Sequence, residues 1–565
     1  MPDILLIQPP IRDFYLTAKR TIPYGLACIA SALKERGFSV RILDALATGR
    51  SRTISIPGKM DYLKEYYAGP DFSPFSLFRN FRHYGLDFEK IGEIAGNLNP
   101  FLVGISSLFT AYSEEAIRTA EVVRQRLPRA VIVAGGHHPT EMPGEVLQNR
   151  CVDFILRGEG EIGMPLLARA ILEKTPLEDV PGIGFRKDGA IFLNPPARME
   201  RLDDAPPPEI ELIDGNFYQR KKKPCAVVVA SRGCPLKCSY CSIGGATWSR
   251  FRLKSVEKVL KELERAVFDF GARFIDFEDE NISFNRGWFL ELLNAITERF
   301  PEIDIEFRAM NGLFPPTIDR EIAASMKRAG FTALNLSLCT TCREQLKAFR
   351  RPDVREAFEN ALELAAEFGL ESVGYIAGAP GQKPGDSIAD LLYLARQKVL
   401  AGVSVFYPAP GSADFEKCRA GNLLPRQCSL MRATVLPISD STTREESATL
   451  MRLGRLLNFL KSLSKDEITD VFTSAAKPGS DTAGGCIELS RRIQELAASE
   501  KTGSARQSRF GYSMRHEMGK LLLASFLSDG VLLGIGPEMK VFAHRASHPL
   551  SLMFRDGLLH QFSPR

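Results

Sequence analysis

The stretch Ala226-Val227-Val228-Val229-Ala230-Ser231-Arg232-Gly233-Cys234-Pro235-Leu236-Lys237-Cys238-Ser239-Tyr240-Cys241 joins an apolar run to three cysteines at C-x3-C-x2-C spacing. Thiolates this close in sequence converge on one point only if the backbone wraps around it. Gly233 and Pro235 favour that turn over a continued strand or helix. Soft thiolates suit zinc, copper(I) or iron–sulfur clusters. Three ligands with no fourth nearby leave one cluster position open to another molecule, which points to a catalytic cluster and away from a closed structural site.

Working outward, the apolar run opens a β/α rhythm. Strands are expected at Phe274–Phe277, Asp304–Arg308, Ala333–Leu338, Ser372–Ala377 and Gly402–Tyr407. Helices are expected between them at Ser255–Phe270, Trp288–Arg299, Asp319–Ala329, Val354–Phe368 and Ser387–Ala401. Six strands with interleaved helices suggest a partial (β/α)6 barrel, whose chemistry sits at the C-terminal rim. The cysteine loop follows the first strand and so lands on that rim.

An earlier rhythm precedes it, with strands at Asp3–Gln8, Ser39–Asp44, Phe101–Ser106, Ala130–Ala134 and Asp153–Leu156 and helices such as Tyr24–Gly37 and Ser113–Leu127. This reads as a doubly wound, Rossmann-like α/β fold that binds ligands beyond its C-terminal strand ends. Two of those ends carry Ser106-Ser107-Leu108-Phe109-Thr110 and Gly135-Gly136-His137-His138-Pro139-Thr140, glycines for close approach and hydroxyls for hydrogen bonds. His137 and His138 are read as one packed and one solvated histidine, with metal ligation the competing reading. Gly158-Glu159-Gly160-Glu161-Ile162-Gly163 matches a dinucleotide fingerprint only formally, because its glutamates would repel a pyrophosphate; they suit a helix start. Ser51–Gly85 interrupts the rhythm as either a lid or an interdomain packing insertion.

The expected organisation is residues 1–188, a linker with a short leading hairpin over 189–224, the barrel over 225–424, and a mainly helical region over 425–565 with helices at Thr443–Ser464 and Arg515–Leu527 and a mobile loop at Ala475–Gly485. The basic run Arg220-Lys221-Lys222-Lys223 reads as a solvated loop, with docking of an acidic electron donor as the alternative. A net charge of +5 over 565 residues argues for neither nucleic-acid nor membrane binding. Eleven scattered cysteines do not form a disulfide scaffold, the N-terminus lacks a signal-peptide pattern, and no apolar run is long enough to span a membrane. A cytoplasmic protein is expected, and an exposed cluster would require low oxygen.

The cysteine motif after the first strand of a β/α barrel, with Tyr240 before its last cysteine, resembles the radical S-adenosylmethionine (SAM) superfamily. The Ser106-x-Leu108-x-Thr110 stretch and the Gly135-Gly136 pair resemble the cobalamin-binding domain of methionine-synthase-type proteins. Together they resemble the cobalamin-binding group of radical SAM proteins, over roughly residues 1–425. The resemblance implies a [4Fe–4S] cluster on Cys234, Cys238 and Cys241, with the fourth iron open to SAM. An electron delivered through the cluster would cleave a carbon–sulfur bond and give a 5′-deoxyadenosyl radical. Ser106, Leu108, Thr110, Gly135 and Gly136 would line the cobalamin tail. The D-x-H-x-x-G motif of that domain is missing from Pro9–Tyr15, so no histidine of this loop would hold cobalt. Tyr240, Asp279, Glu280, Arg308, Asn311, Ser337, Gly378 and Tyr407 fall where relatives meet SAM. Around Asp279 and Glu280 a helix N-cap cluster is the competing reading, and Arg308 could equally pair with Glu278 or Asp279. The Glu-Ser pair common after the fourth strand is replaced by Asn335-Leu336-Ser337-Leu338-Cys339-Thr340-Thr341-Cys342. Cys339 and Cys342 there read as packed bystanders, with a redox pair, a metal site or a radical-handling thiol as alternatives.

The implied function is a cobalamin-dependent methyltransferase acting on an unactivated carbon. Cyclisation or rearrangement without methyl transfer is the alternative, and a zinc-stabilised binding protein a third reading. An electron donor such as flavodoxin or ferredoxin is the implied partner.

Overall fold

The computed structural model of the chain describes residues 1–15, 22–67, 69–245, 250–377, 380–475, 482–499 and 512–562. Strands β1 (Ile4–Gln8), β2 (Val40–Asp44), β3 (Leu102–Ser106), β4 (Val131–Gly135), β5 (Phe154–Leu156), β6 (Ile183–Lys187) and β7 (Ala190–Leu193) form one sheet in the order β7-β6-β5-β4-β3-β1-β2. The first five are parallel, and β6 and β7 extend the edge antiparallel. In β1, Ile4 and Leu6 enter one core and Leu5 and Ile7 the other, so the continuous apolar run has both faces covered. Helix α1 (Tyr24–Glu35) covers the first face with Leu26, Ala30 and Leu33; α2 (Ser113–Arg126) covers the second with Ala116, Ala120 and Val123. Helix α3 (Gly160–Glu173) returns to the face of α1. Each expected strand is present with its start one residue later.

The β6–β7 hairpin lies where the linker was expected to begin. Asp188 (φ 50°) and Gly189 (φ 80°) make its tight turn, and the Asp-Gly pair is the sequence signal for it.

The second block holds β8 (Lys223–Val228), β9 (Phe274–Phe277), β10 (Glu306–Ala309), β11 (Ala333–Cys339), β12 (Glu371–Ala377) and β13 (Leu400–Ser404). β8, β9 and β10 form one parallel ladder and β11, β12 and β13 another. Single bridges at Phe307–Phe331 and Leu313–Leu336 join the two at the seam. Helices α4 (Val256–Glu264), α5 (Arg286–Arg299), α6 (Arg320–Ala329), α7 (Arg343–Ala348), α8 (Arg355–Phe368), α9 (Pro384–Arg396) and α10 (Ala413–Ala420) run between and after the strands. Their ends follow local chemistry: Asp319 caps α6 by accepting from the Ile322 amide, and Gly330 ends it at φ 102°. The helix expected to reach Ala401 stops at Arg396, since Leu400–Ser404 is taken into the sheet. Register is fixed there by Gly402, whose Cβ would lie 2.5 Å from the Tyr375 ring.

Ser51–Gly85 is a packing insertion. Its strands Ser51–Thr53 and Arg82–Tyr84 join Ile11–Asp13 in a small antiparallel sheet. Phe14, Tyr67 and Phe81 then pack against Val435, Leu436 and Ala448. The Tyr67 hydroxyl donates to the Thr434 carbonyl at 2.6 Å. Helix Arg444–Ser462, opened by a Thr443/Glu446 capping box, shares a continuous core with α9 through Leu453, Leu457 and Leu391. Helices Lys465–Ala475, Thr482–Ser499, Tyr512–Asp529 and His548–Phe562 complete the C-terminal region with a hairpin of Leu533–Ile535 and Val541–Ala543. Of the loop expected at Ala475–Gly485, residues 476–481 lie outside the described residues, while 482–485 begin a helix. No helix is long and apolar enough to cross a membrane among the described residues.

Candidate active site

The cysteine loop leaves β8 and turns at Gly233, whose φ is 81°. Its anchors come from four directions. Asp279, after β9, accepts from the Ala230 amide at 3.2 Å and from the amide and hydroxyl of Ser231, the latter at 2.5 Å. Glu280 accepts from the Gly233 amide at 3.1 Å. Ser239 donates its amide to the Phe349 carbonyl at 3.0 Å, beyond α7, and its hydroxyl to Asp414 of α10 at 2.8 Å. Arg351 donates to the Tyr240 hydroxyl at 2.9 Å, approaches the Cys238 sulfur at 3.7 Å, and holds the Ser337 carbonyl and hydroxyl at 2.9 and 3.0 Å. Tyr240 also meets the Phe349 ring edge-on, with centroids 5.0 Å apart.

All three cysteines are free thiols. Burial pushes the Cys234 thiol up, and the nearby Cys241 and Cys238 push it further. Such crowding is what bound cations relieve. No three His, Cys, Asp or Glu side chains among the described residues stand in single-ion geometry; a cubane asks something else, one thiolate per iron at separate corners. The donor set fits that demand. Arg351 supplies a second observation, because its buried Nε has no hydrogen-bond partner among the described residues. Burial opposes its charge, yet Tyr240, Cys339 and Cys238 together raise its pKa.

The acidic run is divided in its work. Burial lifts Asp279 to about 7 despite its hydrogen bonds to Ser231, and both its oxygens face the loop backbone. Glu280, also pushed up by burial, borders the cavity described below together with Glu278. The N-cap of α5 is Asn285, which accepts from the Trp288 amide at 3.2 Å, so the acidic run is no cap. Asn311 donates to the Glu278 carbonyl at 3.0 Å. Arg308 pairs with Glu306 at 3.3 Å and stacks over Phe274, in place of the pairings with Glu278 or Asp279. Tyr407 is 39% exposed. Gly378 lies outside the described residues.

Cys339 and Cys342 have separate surroundings. Cys339 sits at φ 75° on a bulge of β11, buried against Tyr240, Phe349 and Phe406, and burial lifts its thiol to about 12. Cys342 precedes α7 and lies 3.4 Å from Glu344.

A cavity of about 560 Å³ runs from the strand ends of the first sheet to the barrel rim. Ser106, Leu108, Gly135 and Gly136 line one side; Gly233, Glu278, Glu280 and Asn311 line the other. Leu108 is 51% exposed, an apolar side chain presented to that space. Gly136 has φ 114° and would place a Cβ 2.8 Å from the Ser107 carbonyl, whereas a Cβ at Gly135 has its nearest neighbour at 3.8 Å. Such a glycine cradle fits a flat, bulky group. Thr110 turns away to His138 Nδ1 at 3.3 Å. Burial lowers His138 to about 4 and depresses His137 too; His138 is buried and His137 half-buried, so neither is solvated.

Sequence reasoning missed the ionic bridge across this cavity. Glu159 caps α3 and Glu161 sits in its first turn, as expected, but both carboxylates reach the cysteine loop. Arg232 donates to Glu161 at 2.5 Å and lies 3.3 Å from Glu159, and Arg252 donates to Glu159 at 2.7 Å. Nothing local in the sequence announces such pairs. Arg351 escaped for the same reason.

Comparison with known proteins agrees with this geometry. The radical SAM superfamily profile matches residues 228–392 and the B12 binding domain profile residues 63–168. An uncharacterized methyltransferase of Pyrococcus horikoshii is 25% identical over 83% of this chain and 94% of its own length. The cytidylyl-2-hydroxyethylphosphonate methyltransferase of Streptomyces wedmorensis is 24% identical over 76% of this chain and 84% of its own. In fold, the chain is similar to the radical SAM methyltransferase TsrM of Kitasatospora setae, solved with cobalamin and a [4Fe–4S] cluster: TM-score 0.55, 18% identity, covering 75% of this chain and 76% of that one. A cysteine loop on a barrel rim, facing a glycine cradle across one cavity, therefore belongs to a radical SAM enzyme of the group that carries a B12-binding domain, with a [4Fe–4S] cluster, SAM and cobalamin as its cofactors.

Proposed function

We propose that this enzyme methylates an unactivated carbon of its substrate. The observation that carries the reading is the single cavity that joins the glycine cradle to the cysteine loop. A cluster on the cysteine loop with SAM beside it would supply radical chemistry at a substrate carbon, and cobalamin held by the glycine cradle would supply a methyl group.

The chain's residues divide the remaining work. Cys234, Cys238 and Cys241 hold one iron each. Glu280 and Glu278 border the cavity and accept the ammonium of SAM, while Asp279 fixes the loop that presents it. Arg351 offers its guanidinium to the carboxylate, with Ser337 and Tyr240 holding its plane. Asn311 and Tyr407 serve ribose and adenine, and Gly378 is assigned to adenine from the sequence resemblance alone. Ser106, Leu108, Gly135 and Gly136 cradle cobalamin, and Thr110 braces the loop from behind through His138. Arg308 acts below the rim, shaping the barrel floor. The two-sided cavity wall keeps water from the reacting groups. A low-potential carrier such as flavodoxin or ferredoxin delivers the electron.

The test is product mass analysis with methyl-labelled SAM, on protein purified without oxygen and carrying iron, sulfide and cobalamin. Label in the product supports methyl transfer. Turnover without label means cyclisation or rearrangement. Cys238→Ala is expected to lose iron and SAM cleavage together.

A further inference from the structure

The electron for the cluster must come from outside the chain, so the surface nearest the cysteine loop is where a donor has to sit. Two basic patches compete for that role. Arg220–Lys223 is a hairpin turn where β8 begins, at the end of the barrel opposite the cysteine loop. Three of its four charges lie near carboxylates: Arg220 and Lys221 are 3.3 and 3.5 Å from Glu306, and Lys223 is 3.7 Å from Asp304.

The second patch is formed by the loop itself and the helix packed on it. Pro235 and Lys237 of the cysteine loop are exposed. The Ser239 amide bonds to the Phe349 carbonyl, which brings the end of α7 against the loop. Arg343 and Lys347 stand one helical turn apart on α7, and Arg350 follows three residues on, all exposed. None of Lys237, Arg343, Lys347 and Arg350 is in an ion pair among the described residues. The carboxylates near them are Glu344, which faces Cys342, and Asp353, which pairs with Arg355. Four exposed cations against two exposed carboxylates, one of them already paired with Arg355, leave a net positive field over the loop.

The geometry points to this patch as the docking surface for an acidic electron-carrier protein, of the flavodoxin kind, seated on α7 and the cysteine loop. The inference rests on the cluster being held by that loop. One electron leaves the donor's reduced flavin and enters the cluster, with no atom transferred. Cationic rims steer acidic partners at low ionic strength and lose that advantage in salt.

The test follows cluster reduction by absorbance and electron paramagnetic resonance, using reduced flavodoxin as the probe, in wild type and in Arg343→Glu/Lys347→Glu. The double variant is expected to be reduced by flavodoxin about tenfold more slowly at low salt, with the gap closing as salt rises. Photoreduced deazaflavin, a small uncharged-surface reductant, is expected to reduce both at one rate. Lys222→Glu, in the patch at the opposite end of the barrel, is expected to behave as wild type. Binding of oxidised flavodoxin, measured by calorimetry, is expected to weaken in the double variant alone. Equal flavodoxin rates and affinities in wild type and double variant would overturn the proposal. Should charge reversal prevent cluster assembly, Arg343→Gln/Lys347→Gln decides by the same ratio of rates. A protein that is reduced as expected yet transfers no methyl label sinks the methyltransferase reading and leaves this surface standing.

Discussion

Arg232, two residues before Cys234, donates a 2.5 Å hydrogen bond to Glu161 in the first turn of α3, and with the Arg232–Glu159 and Arg252–Glu159 pairs this ties the cysteine loop to the first sheet's domain. The Arg232 and Glu161 side chains are 21% and 7% exposed, which leaves little water to take over either charge. Breaking such a pair from one side strands the other charge, at a cost of about 3 kcal/mol. Arg232→Ala is therefore expected to lower unfolding stability by that order in denaturant titration. Arg232→Ala/Glu161→Gln is expected to recover part of the loss, since the stranded charge is gone.

Asp279 makes the loop's stability depend on pH. Its folded pKa of about 7 lies above the ordinary carboxylate value, so the folded state holds its proton longer than the unfolded chain. The associated stability is complete below about pH 4 and is lost as pH rises through 7. The difference in unfolding free energy between wild type and Asp279→Asn is expected to change across that window by roughly 1 kcal/mol per pH unit. A flat difference from pH 4 to 7 would show that Asp279 titrates normally.

Arg351→Met is expected to spare iron binding while weakening SAM, because the cysteines remain and the guanidinium is lost. One charge-assisted hydrogen bond is worth roughly 1.5–3 kcal/mol, about ten- to a hundredfold in affinity. Equilibrium dialysis of SAM with iron-replete protein measures it. Unchanged SAM affinity would restrict Arg351 to bracing Tyr240 and Ser337.

Gly135→Ala and Gly136→Ala are expected to fail differently. The first adds a methyl group with no neighbour closer than 3.8 Å, so the fold stands and the added group narrows the cradle. The second forces a Cβ onto the Ser107 carbonyl at positive φ, costing about 1–3 kcal/mol. Cobalamin retained after gel filtration is expected to fall in both, with the melting temperature lowered only in the second.

Strand positions in both β/α blocks were legible because burial on two faces demands unbroken apolar runs, as in Ile4–Ile7. The cysteine loop stood out because its three cysteines fall within eight residues. A short hairpin was expected in the linker from residue 189; its turn at Asp188-Gly189 and its place at the edge of the first sheet were not. The end of α9 was not readable, since Tyr375 against Gly402 fixes it from another strand. Glu159, Glu161 and Arg351 took their partners from 14 to 113 residues away, where no window of sequence shows them.

The insertion has a consequence for biosynthesis. Asp71 accepts from the Ile535 amide at 3.1 Å and stands 3.1 Å from His544, and Tyr67 bonds to Thr434. Tyr67 and Asp71 thus wait for partners made 367 and 464 residues later. Until Val435, Leu436 and Ala448 are made, Phe14, Tyr67 and Phe81 lack part of their cover, and the nascent chain carries an aromatic surface that invites aggregation.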